Sequence, residues 1–230
     1  MNAQHIIGQL SDKIFHSDFN NYNNIMDSSN NLTDGISALI SVSIENDVPP
    51  TLVSNEALDK PMLDIVNRFK NDDYEFMEMI ARAKLTGDAR DRLADHVEET
   101  ESLENDTILL ATVEGEYHRH GKDIISLLAR GIGFNTIDLG MGIPVSEILD
   151  AVDEHRPDFL GISASTRATI PDLKDIMRSI HANNALENMT TILGGFLAIY
   201  NEAEAIHADH CCPNIHQSID LFLNLANSSN

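Results

Sequence analysis

After residue 105 the chain changes rhythm, and that change limits its fold more than any other feature. Short apolar runs at residues 107–113, 134–139, 158–162, 190–193 and about 208–212 alternate with amphipathic stretches at 122–131, 145–155, 171–183, 199–206 and 214–226. The runs read as strands and the stretches as helices. Strict alternation implies a parallel sheet with helices on both faces, because each parallel neighbour needs a crossover. Pro144, Pro171 and Pro213 stand at or just before the expected helix starts, where a missing N–H does least harm. The expected fold over residues 104–230 is therefore a Rossmann-like (flavodoxin-like), five-stranded parallel sheet domain.

Upstream, the apolar spacing is helical from Thr33 to about Leu103. Thr33 or Asp34 can cap a helix carrying Ile36, Leu39, Ile40 and Ile44, and Pro49-Pro50 breaks it and opens the next. Leu58, Met62, Ile65, Val66 and Phe69 recur at three- and four-residue steps, followed by Tyr74, Met77, Ile80 and Ala81, then Leu93 and Val97. Four short helices are expected over 33–103, forming a small bundle with Met62, Met77 and Met79 as core filler. Residues 1–32 are rich in Asn, Ser and Asp, and read as an extension with one short helix over Ile6–Phe15.

The formal charge of −22, from 37 acidic and 15 basic residues, excludes direct nucleic-acid binding and docking on anionic lipid. Both need clustered Lys and Arg. With no Trp and few aromatics, single-strand stacking platforms are excluded too. No apolar run reaches membrane-spanning length and no signal segment opens the chain, so the expected location is the cytoplasm and no membrane is involved. The only cysteines, Cys211 and Cys212, cannot staple a fold, and are expected as two small buried residues ending a strand.

In a parallel α/β sheet the loops after the strands share one edge, where ligands bind. The loop after the first run holds Gly115, Glu116, His118, Arg119, His120 and Gly121. The loop after the third holds Ser163, Ala164, Ser165 and Thr166, and the fourth run ends in Gly194-Gly195. Singly these are weak: a loop histidine is usually solvated, small hydroxyl residues often cap helices, and a glycine pair is often a turn. Jointly they are specific. A carboxylate two residues before an imidazole can orient it as a metal ligand. Hydroxyls offer compact hydrogen-bond partners, and consecutive glycines let a bulky group approach the backbone.

Glu116-x-His118-x-x-Gly121, Ser163-x-Ser165 and Gly194-Gly195 resemble, in order and spacing, the D-x-H-x-x-G, S-x-L and G-G signature of the corrinoid proteins of cobalamin-dependent methyltransferase systems. The chain is similar also to the cobalamin module of methionine synthase. Flanking segments strengthen the likeness: Gly121-Lys122-Asp123-Ile124-Ile125, Ile137-Asp138-Leu139-Gly140 and Ile143-Pro144. The resemblance covers about Thr33 to Leu225. It implies a helical cap before the sheet domain, and cobalamin (methylcobalamin or another corrinoid) as cofactor. His118 would replace the cofactor's dimethylbenzimidazole as lower cobalt ligand, with Glu116 on its second nitrogen and Ser163 holding that carboxylate in turn. The displaced nucleotide tail would run beside Ser163, Ser165, Thr166, Gly194 and Gly195. The implied role is a methyl carrier, with partner methyltransferases or a reductive activase. The chain departs from the pattern at Glu116 (usually Asp), Ser165 (usually Leu), Arg167 (commonly Thr), Arg119-His120 and Phe196.

Other classes share these residues. A cobalamin-based light or redox sensor or antirepressor often carries E-x-H-x-x-G, an adenosyl-dependent mutase subunit usually lacks the upstream bundle, and a Rossmann-like domain can lose its cofactor altogether. His181, His207, His210 and His216 read as surface residues. Asp172, Asp175, Glu202 and Glu204 read as solvated helix faces.

Overall fold

The structure, a computed structural model, describes residues 2–16, 29–96, 106–183, 186, 188–199 and 206–228. They fall into two units, residues 1–105 with 130–133, and residues 106–129 with 134–230. Within the first unit residues 2–16 are not a loose extension. Asn2 caps α1 (Ala3–Phe15) by accepting the Gln4 N–H at 2.9 Å. Ile6, Leu10 and Ile14, spaced four apart, are fully buried. Arg82 fixes the far end: its Nη1 donates to the Ile14 carbonyl, while Nε meets the Tyr74 hydroxyl at 2.7 Å and Nη2 meets Glu78 at 2.6 Å. A guanidinium on a late helical carbonyl satisfies a group the helix itself leaves unpaired.

Three further helical segments follow. They are α2 (Ser29–Glu45), α3 (Pro50–Val53) running through a π turn (Ser54–Asp59) into α4 (Lys60–Lys70), and α5 (Phe76–Ala94). The expected bundle of four helices is present, with one difference in membership. Residues 33–94 supply three of the helical rods and α1 supplies the fourth, because residues 50–70 run as one rod. Of the expected methionine filler, Met62 and Met79 are fully buried, but Met77 is 56% exposed. It lies in the first turn of α5, a step out of phase with Met79 and Ala83, which face the core. Val97 and Leu103 lie outside the described residues.

In the second unit the elements are β1 (Thr107–Val113), α6 (His120–Gly131), β2 (Asn135–Ile143), α7 (Val145–His155), β3 (Phe159–Ser163), a 3₁₀ turn (Arg167–Thr169) leading into α8 (Ile170–His181), β4 (Thr190–Gly194), a second 3₁₀ turn (Phe196–Ile199), β5 (His210–Cys212) and α9 (Ile215–Ser228). The strands form one sheet, order β2-β1-β3-β4-β5, with every pairing parallel. Ile148 and Val152 of α7 and Leu173, Ile176 and Met177 of α8 pack on Leu109, Leu160, Ile162 and Leu193. Phe134 stacks edge-on against both Phe159 and Phe222 of α9.

Two expectations are corrected here. β2 continues to Ile143 rather than stopping at residue 139, because a bulge at Ala111↔Gly140 lets pairing with β1 resume at Val113↔Ile143. Of the helix expected at 199–206, residues 200–205, with Glu202 and Glu204, lie outside the described residues; Ile199 closes the 3₁₀ turn Phe196–Ile199. The cysteines do end a strand, but only Cys212 is buried. Successive strand residues point to opposite faces, and β5 is the edge strand, so Cys211 is left exposed. Among the described residues no helix is long and apolar enough to cross a membrane.

Candidate functional site

β1 and β3 are neighbours whose onward connections lead to opposite ends of the strand order, and a crevice forms at such a switch point. Three loops meet there. The first leaves β1 through a turn in which Glu116 N–H returns to the Val113 carbonyl at 3.0 Å. Gly115 supplies the turn's positive φ of 82°, a region L side chains avoid. This reversal swings Glu116 inward until it is fully buried, and sends His118 outward with its side chain 75% exposed.

A buried carboxylate needs donors, and Glu116 has four. Oε1 accepts the main-chain N–H of His118 at 2.9 Å and lies 2.6 Å from the imidazole Nδ1. Oε2 accepts the main-chain N–H groups of Ser165 at 2.5 Å and Thr166 at 2.9 Å. Burial pushes this carboxyl up, but the Ser165 N–H, both His118 donors and the Thr166 N–H outweigh it and hold the pKa at about 2. Ionised Glu116 can only accept, so Nδ1 is the donor of this contact and Nε2 is the ring nitrogen left for another partner.

The carboxylate's holders correct one expectation. Ser163 ends β3 in register with Gly194, and its hydroxyl does not hold Glu116; the backbone of the next loop does. The third loop is joined in turn: Ala164 N–H donates to the Gly194 carbonyl, Leu197 N–H to the Ala164 carbonyl (both 3.0 Å), and Phe196 N–H to Ser165 Oγ at 3.3 Å. The two glycines differ in kind. A Cβ on Gly195 would stand 2.5 Å from the Ala164 carbonyl oxygen, at a φ of 83°, whereas a Cβ on Gly194 would meet nothing nearer than 3.9 Å. Gly195 is required by the protein's own packing. Gly194 has room for a Cβ at ordinary contact distance.

The structure thus brings Gly115, Glu116, His118, Ser163, Ser165, Thr166, Gly194 and Gly195 to one sheet edge. Arg119 turns aside to Asp123, with Nε to Oδ2 at 2.7 Å. His120 and Gly121 are exposed in the first turn of α6. Arg167 is exposed in the first 3₁₀ turn and Phe196 is 53% exposed beside Gly195. His181, His207, His210, His216 and Asp175 are exposed, and Asp172 is half-buried. Residue-type reasoning passed over Thr112, whose fully buried hydroxyl accepts the Gly142 N–H at 2.9 Å and donates to the Glu116 carbonyl at 3.3 Å. A hydroxyl residue one position from the end of a largely apolar strand was its only sequence signal.

The large hydrophobic side chains exposed among the described residues of this unit are Tyr117, Met141, Phe196 and Ile199. All lie in or beside the segments that leave β1, β2 and β4 at the carboxyl edge. Grouped exposure of this kind marks a surface built to be covered.

Comparison with known proteins agrees with this geometry. The family described as "B12 binding domain" matches residues 106–213. Dimethylamine corrinoid protein 1 of Methanosarcina acetivorans is 30% identical over 112 residues, 49% of this chain and 53% of that protein. Methionine synthase of Mycobacterium leprae is 23% identical over 179 residues, 76% of this chain but 15% of that protein. The match thus spans about half the length of the first of these relatives. Among solved structures, a cobalamin-binding protein from Desulfitobacterium hafniense covers 100% of this chain and 99% of its own, with TM-score 0.63 and 21% identity. A chain of the methanol:cobalamin methyltransferase complex of Methanosarcina barkeri has TM-score 0.74 and 18% identity, covering 97% of this chain and 80% of that one. These two likenesses support the fold, a helical bundle and a five-stranded Rossmann-like sheet. Residues 106–213 are therefore a B12-binding domain, homologous to that of the methanogen corrinoid proteins and to the cobalamin module of methionine synthase.

Proposed function

We propose that this chain is a methyl-carrying corrinoid protein that takes its cofactor base-off, with His118 Nε2 as the lower ligand to cobalt. One observation carries the ligand assignment: a solvent-facing imidazole whose other nitrogen is held at 2.6 Å by a fully buried carboxylate. That pairing fixes the ring's orientation and selects the tautomer whose Nε2 can bind a metal.

The residues fit the group. Among the described residues no cluster of three or more His, Cys, Asp or Glu could hold a metal by itself. A single imidazole suits a metal whose equatorial positions come from its own macrocycle. Tyr117 and Met141, beside the histidine loop and in β2, offer apolar cover for such a ring. The uncrowded backbone at Gly194, with the hydroxyls of Ser163, Ser165 and Thr166 nearby in sequence and register, suits the displaced nucleotide tail. When bound, the corrinoid supplies the methyl-transfer chemistry. This chain's residues hold the group, set the imidazole's protonation and present the loaded face to partners. The relatives' names, dimethylamine corrinoid protein and methanol:cobalamin methyltransferase complex, support a methyltransferase as partner.

The test is loading purified protein with hydroxocobalamin under reducing conditions. After desalting, the wild type is expected to keep the cofactor with a His-bound spectrum, and His118→Ala to lose that signature. A colourless wild-type protein would sink the reading.

A further inference from the structure

Behind His118 lies a closed circuit of polar contacts, and its centre is a lysine that no binding role accounts for. Lys122, in the first turn of α6, has its side chain only 3% exposed. Its ammonium lies 2.5 Å from both carboxylate oxygens of Asp138 on β2 and 3.1 Å from Asp123 Oδ1. Asp123 accepts Arg119 Nε on its other oxygen, and Arg119 follows His118 directly in the chain. Asp138 accepts the Gly140 N–H at 2.8 Å and so braces the β2 bulge. Beyond the bulge Gly142 N–H reaches Thr112 Oγ1, Thr112 reaches the Glu116 carbonyl, and Ile143 accepts the Glu114 N–H at 3.0 Å. The circuit closes where Glu116 grips His118.

We infer that Lys122 is a positioning residue for His118, holding the ligand loop at both ends through Asp123–Arg119 and through the Asp138-braced bulge. The inference rests on the reading of His118 as cobalt ligand. A buried ammonium shared between two carboxylates is a costly device for helix docking alone, since apolar residues of similar size join a helix to a strand equally well. What the charged version adds is directional hold on two carboxylates, one on each side of the loop. An imidazole on an exposed turn otherwise samples several rotamers, and each one lost to the metal weakens the bond.

The experiment uses full-length protein labelled with ¹⁵N-histidine, loaded with cobalamin and reduced to the paramagnetic cobalt(II) state. A histidine ligand then shows as a two-line nitrogen splitting in the EPR spectrum, which an unlabelled tail base cannot produce. Wild type is expected to show the doublet and His118→Ala to lack it. Absence of the doublet in wild type would overturn the ligand reading itself, a separate failure. With the doublet present, Lys122→Met is expected to retain cobalamin through desalting, with the ratio of His-bound to His-free cobalt reduced about tenfold. An undiminished doublet in folded Lys122→Met overturns the positioning role. If that variant does not fold, Asp123→Asn decides, because it cuts the lysine's route to Arg119 while sparing the buried Lys122–Asp138 pair. A reduced doublet in Asp123→Asn supports the inference, and an unchanged one overturns it.

Discussion

The carboxylate of Glu116 and the imidazole of His118 meet at 2.6 Å, although one side chain is fully buried and the other three-quarters exposed. The pair therefore carries the order of the sheet interior out to a surface ring. Glu116 belongs to the β1 loop, yet it takes two of its four hydrogen bonds from the loop after β3. Strand order puts those loops side by side, and the carboxylate locks them.

The first prediction concerns that carboxylate. Residue types alone make Glu116→Gln milder than His118→Ala, since an acceptor survives. The geometry argues otherwise for the fold. Both oxygens face N–H donors, so an amide must turn its NH₂ toward either the His118 pair or the Ser165 and Thr166 pair. Leaving such donors unsatisfied costs about 1–3 kcal/mol. Chemical denaturation should show Glu116→Gln less stable than His118→Ala by this order, and equal stabilities would refute the four-donor picture.

The glycine pair separates packing from ligand approach. Gly195→Ala should lose about 1–3 kcal/mol of stability, from the contact with Ala164 and the positive φ. Gly194→Ala should fold within about 0.5 kcal/mol of wild type, because its Cβ meets only ordinary contact distances. Yet it should bind cobalamin more weakly, the new methyl group standing in the path proposed for the tail. Thermal melts and a binding titration on the two variants check both halves.

In the helical unit, Arg82 is the bond between α1 and α5. Arg82→Ala takes the guanidinium donor from the Ile14 carbonyl and leaves the partly exposed Glu78 carboxylate with the Tyr74 hydroxyl, at a cost of about 1–3 kcal/mol. Hydrogen exchange should show amides of residues 6–15 losing protection first. Protection unchanged in α1 would mean that burial of Ile6, Leu10 and Ile14 suffices alone.

Asp209 predicts a pH dependence. Burial pushes its carboxyl up, but the Thr191 hydroxyl and N–H at 2.6 and 2.8 Å, with His181 and His210 nearby, pull it below the ordinary value of 3.8. A depressed folded pKa stabilises the ionised protein, fully above pH 3.8, and this contribution is lost as pH falls through the lower folded value. The stability gap between wild type and Asp209→Asn should therefore be present at about pH 5 and close below pH 3.8. Urea midpoints measured across that range decide it, and a gap independent of pH is the contrary result.

The local code was enough for the elements and for the residues that crowd one edge. Apolar runs of strand length alternating with helical periodicity admit little but a parallel sheet, and three chemically odd loops after three of those runs must then share its carboxyl end. His118, Glu116 and the glycines were visible on those terms. Their division of labour was not. Which backbone groups grip Glu116, which glycine the Ala164 carbonyl forbids to grow, and how Lys122 reaches a strand 16 residues away depend on loops brought together by strand order. The burial of α1 and the exposure of Met77 and Cys211 were equally hidden, for they are set by how each helix or strand packs within its own unit. Periodicity states that a face exists, but only packing states what covers it. Hydrogen bonds between segments fifty residues apart leave no trace in either segment's own pattern.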